Sequence, residues 1–437
     1  MKSDLDALMH DRGYAALLVT GSSVNNPPMY YLANGAKVGD TTLLVKKYGE
    51  APVIVANSME REEAAQSGLR VVDVNQYRFA ELLKAEKGDR LRATARLYGR
   101  ILADLGVRGT VAAFGQRDQG ATLALLTTLN CLGLGVNVVG EFDQTVFDRA
   151  AVTKGPEEVK RIRAVGKKTV KVVAAVEAFL VSHRAQAGYL VTQEGRRLTI
   201  GDVKRRIDQL LMAEGLVDAE AGTIFSLGRE AGIPHSRGVD RQPLALGQTI
   251  VFDIFPAEPG GGYFYDFTRT WCLGYAPPEV EQAYQDVLDT FKAVLKALRP
   301  SESGSVYQKL TCDILEARGH PTLRSQPGTT SGYVHSLGHG VGLKIHELPR
   351  LSEAAGQGAA DGHADCLKPG VVFTVEPGVY YPERQFGVRL EDTLWLNPAT
   401  LKFEVLAPYP KTLVLPIQGA KAKSPNPKSA RPRARRS

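Results

Sequence analysis

Four carboxylates stand inside runs of apolar and aromatic residues that are typical of buried β-strands. They are Asp253 in TIVFDIF, Asp266 in GYFYDFTRTWCL, Glu376 in GVVFTVEPGVYY and Glu391 in FGVRLEDTLWL. A buried carboxylate without a partner is costly, or it takes up a proton instead. The sequence offers few basic residues nearby other than Arg269 and Arg389. We therefore expect the fold to bring these carboxylates around cations, and a pair of divalent metal ions would satisfy all four.

The same runs form two hairpin-like pairs of strands, in which residues two apart share a face. This spacing places Thr268 and Thr270 on the face of Asp266, and Arg389 on the face of Glu391. We expect Thr268 to hydrogen-bond a metal-binding carboxylate and Arg389 to orient one from behind the metals.

The stretch HSLGHGVGLKIHELP, residues 335–349, supplies three imidazoles: His335, His339 and His346. One imidazole added to four carboxylates gives a mixed oxygen and nitrogen set that suits Mn²⁺, Co²⁺, Zn²⁺ or Fe²⁺. In such a site, two metal ions about 3.5–4 Å apart hold and deprotonate a bridging water and polarise a substrate carbonyl. The pattern therefore indicates hydrolytic chemistry.

The organisation of the chain predicts two domains. Short β-rich runs such as YAALLVTG and APVIVAN alternate with helical stretches, which predicts an α/β domain over residues 1–152. A long helix is predicted to follow, with Pro156 in its first turn. Two further helices, in PEVEQAYQDVLDTFKAVLKAL and SVYQKLTCDILEARG, join the four strand runs in an α+β domain over residues 153–417.

The net charge of +7 originates in the C-terminal segment, residues 418–437. It holds seven basic residues and no acid, and the rest of the chain balances 47 basic against 47 acidic residues. Its composition predicts a disordered tail, either simply solvated or in weak contact with an acidic partner such as a nucleic acid. A hydrophobic fraction of 43% in 437 residues excludes disorder of the whole chain.

Targeting and cysteine patterns predict a soluble, cytoplasmic protein. The N-terminus lacks the apolar segment of a signal peptide, and no stretch approaches eighteen consecutive apolar residues. The four cysteines lie far apart, which argues against a disulfide scaffold or a zinc ribbon and fits a reducing compartment.

Taken in order, FDIFPAEPGGGYFYDFTRT, HSLGHGVGLKIHELP, VVFTVEPGVYY and GVRLEDTLWL resemble the pita-bread metallopeptidases. This family includes methionine aminopeptidases, aminopeptidase P, prolidase and the metal-free creatinases. The resemblance covers roughly residues 154–415, and NNPPMYYLANG is similar to an early segment of the creatinase-type N-terminal domain. It implies a creatinase-type α/β domain followed by an α+β pita-bread catalytic domain.

The resemblance also implies a role for individual residues. The implied metal ligands are Asp253, Asp266, His339, Glu376 and Glu391, with Asp266 and Glu391 bridging two ions. Glu376 would also carry a proton from the water to the leaving amine. His335 and His346 would bind and polarise the substrate. His235, in GIPHSRG, and Arg389 match a further active-site histidine and a ligand-supporting arginine of the aminopeptidase P and prolidase branch.

Within the family, three features favour the Xaa-Pro peptidases. Methionine aminopeptidases lack an N-terminal domain of this size and do not usually carry a histidine where this chain has His335, and creatinases do not keep the full metal set. The implied reaction is hydrolysis of the bond before proline in dipeptides or short peptides, with a metal-bridging water or hydroxide as nucleophile. The implied cofactors are two divalent ions, Mn²⁺ first, with Co²⁺, Zn²⁺ or Fe²⁺ as alternatives, and the implied assembly is a homodimer.

Two other functions remain open, a creatinase-like C–N hydrolase without metal and a non-catalytic pita-bread binding protein. His235, His335 and His346 could be structural histidines, and Arg389 could be an ordinary ion-pair partner. The sequence does not separate a dipeptidase from an aminopeptidase.

The chain departs from the family pattern around the two aspartates. Asp253 and Asp266 are thirteen residues apart, where the usual separation is eleven, and Phe255 replaces a glycine. Because two extra residues preserve face parity, we expect PAEPGGG to form a longer hairpin turn, with Glu258 a remote alternative ligand. Tyr265 replaces a small residue and is expected to face away from the metals.

Overall fold

The computed structural model describes residues 2–218, 222–353 and 365–420. Its helices are α1 (Lys2–Asp11), α2 (Pro27–Leu32), α3 (Arg61–Ala65), α4 (Phe79–Ala85), α5 (Arg90–Asp104), α6 (Gln119–Cys131), α7 (Val146–Ala151), α8 (Pro156–Val181), α9 (Ile200–Ala213), α10 (Pro278–Ala297) and α11 (Gly304–Ala317). Its strands in the first part of the chain are β1 (Ala16–Thr20), β2 (Leu43–Lys47), β3 (Val53–Ala56), β4 (Arg70–Asp73), β5 (Gly109–Gly115) and β6 (Val136–Val139).

The later strands are β7 (Arg184–Gln186), β8 (Tyr189–Val191), β9 (Ile224–Leu227), β10 (Thr249–Ile254), β11 (Phe267–Leu273), β12 (Gly338–Gly340), β13 (Glu347–Leu351), β14 (Val372–Val375), β15 (Gly378–Tyr381), β16 (Phe386–Arg389), β17 (Asp392–Leu396), β18 (Phe403–Val405) and β19 (Val414–Leu415).

The first part of the chain forms a six-stranded mixed sheet in the order β4-β3-β2-β1-β5-β6. Strand β1 runs parallel to β5 and antiparallel to β2. Alternate residues of β1 serve two cores: Leu17 packs in the cluster that contains Met9 of α1, and Leu18 in the one that contains Ile101 of α5. Helices therefore cover both faces of the sheet, and the predicted α/β class is confirmed. The predicted boundary at residues 152 and 153 falls in the connection between α7 and α8.

The long predicted helix is present as α8 and begins at Pro156. Gly155 occupies its N-cap position, and the carboxylate of Glu158 accepts a hydrogen bond of 2.8 Å from the backbone N–H of Gly155. Helices α10 and α11 also match their predictions, and Gly319, at φ +84°, follows the end of α11. Helix α9 was missed, although Thr199 and Asp202 form a capping box at its start.

Two antiparallel-rich sheets build the second part of the chain. One has the order β19-β11-β10-β9 and the other β13-β12-β14-β17-β18. A bridge between Thr268 and Glu391 joins them. Apolar residues of α10 and α11 pack in two clusters that also contain apolar residues of β14 to β17. The result is the predicted α+β organisation.

The four predicted strand runs form six strands, which corrects the expectation of four. GVVFTVEPGVYY is split into β14 and β15 at Glu376 and Pro377, and FGVRLEDTLWL into β16 and β17 at Leu390 and Glu391. Proline lacks the N–H that a continuous ladder requires. Strands β14 and β17 pair in the five-stranded sheet, whereas β15 and β16 form a separate two-stranded sheet. Two of the four carboxylates thus lie where the chain changes sheets.

The segment PAEPGGG extends the connection between β10 and β11, as predicted. Ala257 and Phe264 pair across it, and Gly261, at φ +98°, lies so close to the backbone of Ser23 that a Cβ would be 2.7 Å from its carbonyl oxygen. The long turn therefore reaches the first part of the chain.

Of the segment predicted to be a disordered tail, the structure describes residues 418–420. The carbonyl of Gln418 accepts a hydrogen bond of 2.8 Å from the N–H of Ala185. Its seven basic residues lie outside the described residues. No disulfide joins the four cysteines, all of which are described. None of the helices in the described ranges combines the length and apolar composition needed to cross a bilayer.

Candidate metal centre

A cavity of about 710 Å³ lies where the two sheets of the second part meet. All nine residues predicted for the site line it: His235, Asp253, Asp266, His335, His339, His346, Glu376, Arg389 and Glu391. The fold thus brings together residues from across more than 150 positions of sequence.

The four carboxylates lie on or next to strands, and a β-bridge places one of them at the cavity. Asp253 lies on β10, opposite Thr268 of β11, and Asp266 is the residue immediately before β11. Glu376 follows the last residue of β14. Glu391 reaches the same place because its backbone N–H donates to the carbonyl of Thr268 at 3.1 Å.

His339 is the imidazole at the centre of this group. It lies on β12, and its Nε2 is 3.3 Å from a carboxylate oxygen of Glu376 and 3.6 Å from one of Asp266. Its Nδ1 lies 3.1 Å from the carbonyl of Gly340, which fits an Nδ1–H donor and leaves Nε2 facing the carboxylates. One ligand atom each from Asp266, His339 and Glu391 lie within 4.8 Å of one another. This separation suits a shared metal ion.

Two carboxylate oxygens at the site are buried without a hydrogen-bond donor among the described residues. They are Oδ1 of Asp253 and Oε1 of Glu391. The relative exposure of the two residues is 8% and 1%. A buried acceptor with no donor is destabilising unless a cation faces it. The side chains present therefore fit divalent metal ions, which prefer such oxygen and imidazole donors.

Arg389 and Thr268 each donate a hydrogen bond to one carboxylate oxygen, on Asp253 and Glu391 respectively. The guanidinium of Arg389 donates to Oδ2 of Asp253 at 2.5 Å and to the hydroxyl of Thr268 at 3.3 Å. The Thr268 hydroxyl in turn donates to Oε2 of Glu391 at 2.8 Å. The expected contact between Thr268 and a carboxylate is present. Arg389 binds Oδ2 of Asp253, the oxygen other than the one that lacks a donor among the described residues.

The electrostatics of the group follow from burial and mutual charge. Burial raises the pKa of Asp253, and it raises the pKa of Asp266 and Glu391 well above the usual value with the help of neighbouring carboxylates. Burial opposes ionisation of Glu376 as well, but its hydrogen bond to His339 lowers the pKa of Glu376 to about 2. The same contact overcomes burial and raises the pKa of His339 to about 9.

His335 reaches the site through a tyrosine that sequence reasoning missed. Its Nε2 lies 2.9 Å from the hydroxyl of Tyr380, and Arg389 donates to the same hydroxyl at 2.7 Å. Burial lowers the pKa of His335. A tyrosine in an apolar strand needs a partner for its hydroxyl, and this was the available signal for Tyr380.

The other two predicted histidines, His346 and His235, also line the cavity. The ring of His346 packs against the ring of His339 with 4.3 Å between centroids. Burial, followed by the charge of His339, lowers the pKa of His346 to about 4. His235 is exposed and lines the cavity.

Glu258 and Tyr265 lie outside this group. Both oxygens of Glu258 bind the guanidinium of Arg161 on α8. The ring of Tyr265 is fully buried against α8, where a Cβ on Gly166 would be 2.5 Å from it. Tyr265 therefore faces away from the carboxylates, as expected.

Comparison with known families agrees with this geometry. Residues 160–398, more than half of the chain, match the metallopeptidase family M24. The chain belongs to this family. The resemblance stated from sequence is confirmed, as is the assignment to the metallopeptidases.

A probable dipeptidase, PepE of Mycobacterium tuberculosis, is 29% identical to this M24 chain over 389 residues, 87% of each protein. The Xaa-Pro dipeptidase of Pyrococcus furiosus is 30% identical over 204 residues, 47% of this chain and 52% of that protein.

Solved structures confirm the fold class of this M24 chain. The X-Pro aminopeptidase of Thermotoga maritima superimposes with a TM-score of 0.69 at 21% identity, covering 95% of this chain and 99% of the other. The dipeptidase PepE of Mycobacterium ulcerans superimposes with a TM-score of 0.68 at 25% identity, covering 95% and 97%.

Proposed function

We propose that this chain hydrolyses the peptide bond between an N-terminal residue and a following proline, in dipeptides or short peptides, with two divalent metal ions. The observation that carries the proposal is the convergence of four carboxylates and His339 on one cavity, where two carboxylate oxygens lack a donor within the described part of the chain. The names of relatives, an Xaa-Pro dipeptidase and an X-Pro aminopeptidase, support the choice of bond.

In this proposal, the metal ions would be held by Asp253, Asp266, His339, Glu376 and Glu391. When bound, the ions supply an acidified water and polarise the scissile carbonyl. Mn²⁺ is the first choice, and Co²⁺, Zn²⁺ or Fe²⁺ are compatible with the same donors.

The other residues bind substrate and move protons. Glu376 takes a proton from the attacking water and delivers it to the proline nitrogen as the C–N bond breaks. His335 and His346 bind the substrate around the scissile bond, and His235 contacts it from the wall of the same cavity. Arg389 holds Asp253 in place through its hydrogen bond to Oδ2. Because the depressed pKa of His346 keeps its ring neutral at pH 7, it can accept a hydrogen bond there.

The first experiment tests the metal and the bond together. Metal-stripped protein is resupplied with Mn²⁺, Co²⁺ or Zn²⁺ and assayed on Ala-Pro, Ala-Pro-Ala and Ala-Ala. We expect metal-dependent cleavage of the Ala-Pro bond and little cleavage of Ala-Ala. Two bound ions per chain are expected by metal analysis.

A matched pair of variants separates the site from the fold. His339→Ala is expected to abolish cleavage and lower the bound metal, whereas His183→Ala, at the far end of α8, is expected to retain both. Absence of cleavage with every metal would contradict the proposal and favour a binding protein. Retained cleavage in His339→Ala would contradict the assignment of His339 as a metal ligand.

We also propose an oligomeric state and a cellular location for the protein. The family resemblance supports a homodimer, which light scattering would test. The spacing of the cysteines and the absence of disulfides among them support a cytoplasmic location. We also propose a domain boundary near residue 153. The basic tail is proposed to make weak, salt-dependent contact with acidic partners.

A further inference from the structure

A second cavity, of about 440 Å³, lies in the first part of the chain, at the carboxyl ends of three strands. Strands β1, β5 and β6 run parallel to one another. The lining includes Thr20, the last residue of β1, Gly115, the last residue of β5, and Gly140, which follows β6. Among the described residues, none lines both this cavity and the one at the metal centre. The two are therefore separate sites.

The chain leaves β1 and β5 towards opposite faces of the sheet. After β1 it forms α2, whose Met29 packs in the same cluster as Leu17. After β5 it forms α6, whose Leu129 packs in the same cluster as Leu18, on the other face. Neighbouring parallel strands with diverging connections leave a crevice beyond their carboxyl ends, where open α/β sheets commonly bind ligands. The position alone names no ligand, so the side chains of the crevice must do so.

Two hydroxyl groups in this cavity have no hydrogen-bond partner among the residues that the structure describes. They belong to Thr20 and Tyr98, which line the cavity and are 8% and 5% exposed. Buried polar groups nearly always have a partner, since leaving one unpaired is destabilising. Both hydroxyls are therefore free to donate to a ligand.

A positive charge lies beside these hydroxyls. Arg117 is exposed and lines the cavity, where it is the one charged side chain among the described lining residues. Its guanidinium donates to the backbone carbonyl of Asp40 and forms no ion pair within the described ranges. Burial raises the pKa of Tyr98, and the charge of Arg117 acts on the same hydroxyl in the opposite direction. One cation and two hydroxyl donors suit an anionic oxygen group.

The rest of the wall is largely apolar. Helix α6 contributes Leu123, which is exposed, and Leu126, and the sheet contributes Phe114 and Val138. A volume of this size, lined by apolar side chains with a few polar groups, is typical of small-molecule sites. Because no carboxylate lines the cavity in the described ranges, an ammonium group on the ligand would lack a partner there. The lining therefore favours an apolar anion over an amino acid.

We propose that this cavity binds a small carboxylic acid with an apolar body. Its carboxylate contacts Arg117, Tyr98 and Thr20, and its body lies along α6. The inference does not depend on the proposed peptidase function, because the cavity and the metal centre are separate.

The test titrates the Mn²⁺-loaded full chain with three probes of similar size in a calorimeter. They are 3-phenylpropanoate, the uncharged 3-phenylpropanamide, and phenylalanine, which adds an ammonium group to the acid. We expect the acid to bind about 10- to 100-fold more tightly than the amide, the range for hydrogen bonds to a charged group, and more tightly than phenylalanine. Arg117→Gln is expected to remove the preference for the acid. Tyr98→Phe keeps the ring and is expected to weaken binding of the acid about 10-fold.

The control is Arg100→Gln, which changes an exposed arginine of α5 that does not line the cavity. It is expected to keep the wild-type affinities, and so is His339→Ala. Binding that is lost in His339→Ala and retained in Arg117→Gln would place the acid at the metal centre and overturn the inference. Equal affinities for acid and amide in wild type, or no binding of the acid at about 10 mM, would also overturn it. If Tyr98→Phe does not fold, wild type and Arg117→Gln decide the matter.

Discussion

A single hydroxyl, that of Thr268, connects the two sides of the metal centre. It donates to Glu391 at 2.8 Å and accepts from Arg389 at 3.3 Å, and its residue is fully buried. Thr268 thereby fixes one oxygen of Glu391, while the other has no donor among the residues that the structure describes. Groups that orient a ligand in this way govern metal affinity without touching the metal.

Thr268→Val should therefore weaken metal binding by about 10- to 100-fold while keeping the shape of the side chain. Titration of metal-stripped protein with Mn²⁺ measures the change. Thr270→Val is the matched control, because the hydroxyl of Thr270 bonds to the backbone of Arg389 and, among the described residues, to no carboxylate. Equal loss of affinity in both variants would show that the effect is a general one on the strand.

At the scale of elements, the packing of α8 against the entry to β11 explains how the chain accepts Tyr265. The ring occupies the space beside Gly166, and its hydroxyl lies 3.4 Å from the carbonyl of Ala407. The large residue at one position is thus accommodated by the absence of a side chain at the other.

Gly166→Ala is expected to destabilise the fold by about 1–3 kcal/mol, because the added methyl overpacks a buried ring. In a Tyr265→Ala background, the same change should instead stabilise by up to about 1 kcal/mol, since alanine favours a helix over glycine. Urea unfolding of the four proteins measures both effects. The same sign in both backgrounds would contradict this account.

The start of α9 carries a carboxylate whose charge stabilises the fold. Burial opposes ionisation of Asp202, but hydrogen bonds from Arg196 at 2.7 Å and from the Thr199 backbone at 2.9 Å outweigh it and lower the pKa of Asp202 to about 2. Because the folded state holds this proton less tightly than the unfolded chain, the contribution is complete above about pH 4 and is lost as the pH falls towards 2.

Asp202→Asn should therefore lower the free energy of unfolding by about 1 kcal/mol at pH 7, after allowance for solvent screening. The difference from wild type should shrink as the pH falls from 4 to 2. Denaturation measured across this range tests the sign. Asp208→Asn, on the same helix and outside the capping box, is the comparison, and a constant difference for Asp202→Asn would refute the assignment.

At the scale of the whole molecule, a buried ion pair joins the predicted domain boundary to the loop that carries His346. Nζ of Lys154 lies 2.8 Å from Glu347, and the two side chains are 1% and 6% exposed. Glu347 directly follows His346, and its other oxygen accepts from the N–H of Lys344. The connection between α7 and α8 is thereby tied to the loop that carries His346.

Lys154→Met should destabilise the protein by about 3–5 kcal/mol, because it leaves a buried carboxylate without its cation. The double variant Lys154→Met with Glu347→Gln removes the stranded charge and should recover most of the loss. Urea denaturation of the complete double-mutant cycle measures the coupling. Additive losses would show that the pair is not coupled.

Local patterns allowed much of this protein to be predicted. The carboxylates could be identified because an acid in an apolar run requires a cation, and the start of α8 because glycine, proline and Glu158 form a local signal. The split of two strand runs at Glu376 and Glu391 was missed, because which sheet a strand joins depends on partners distant in sequence.

The sequence by itself determined the chemistry, and only the tertiary structure decided which side chains meet. Lys154 and Glu347 are 193 positions apart, and Tyr380 gains its role only where His335 and Arg389 converge on its hydroxyl. Residue type and spacing encode local geometry and the cost of burial. Contacts between distant segments arise from packing of the whole chain, which no local pattern specifies.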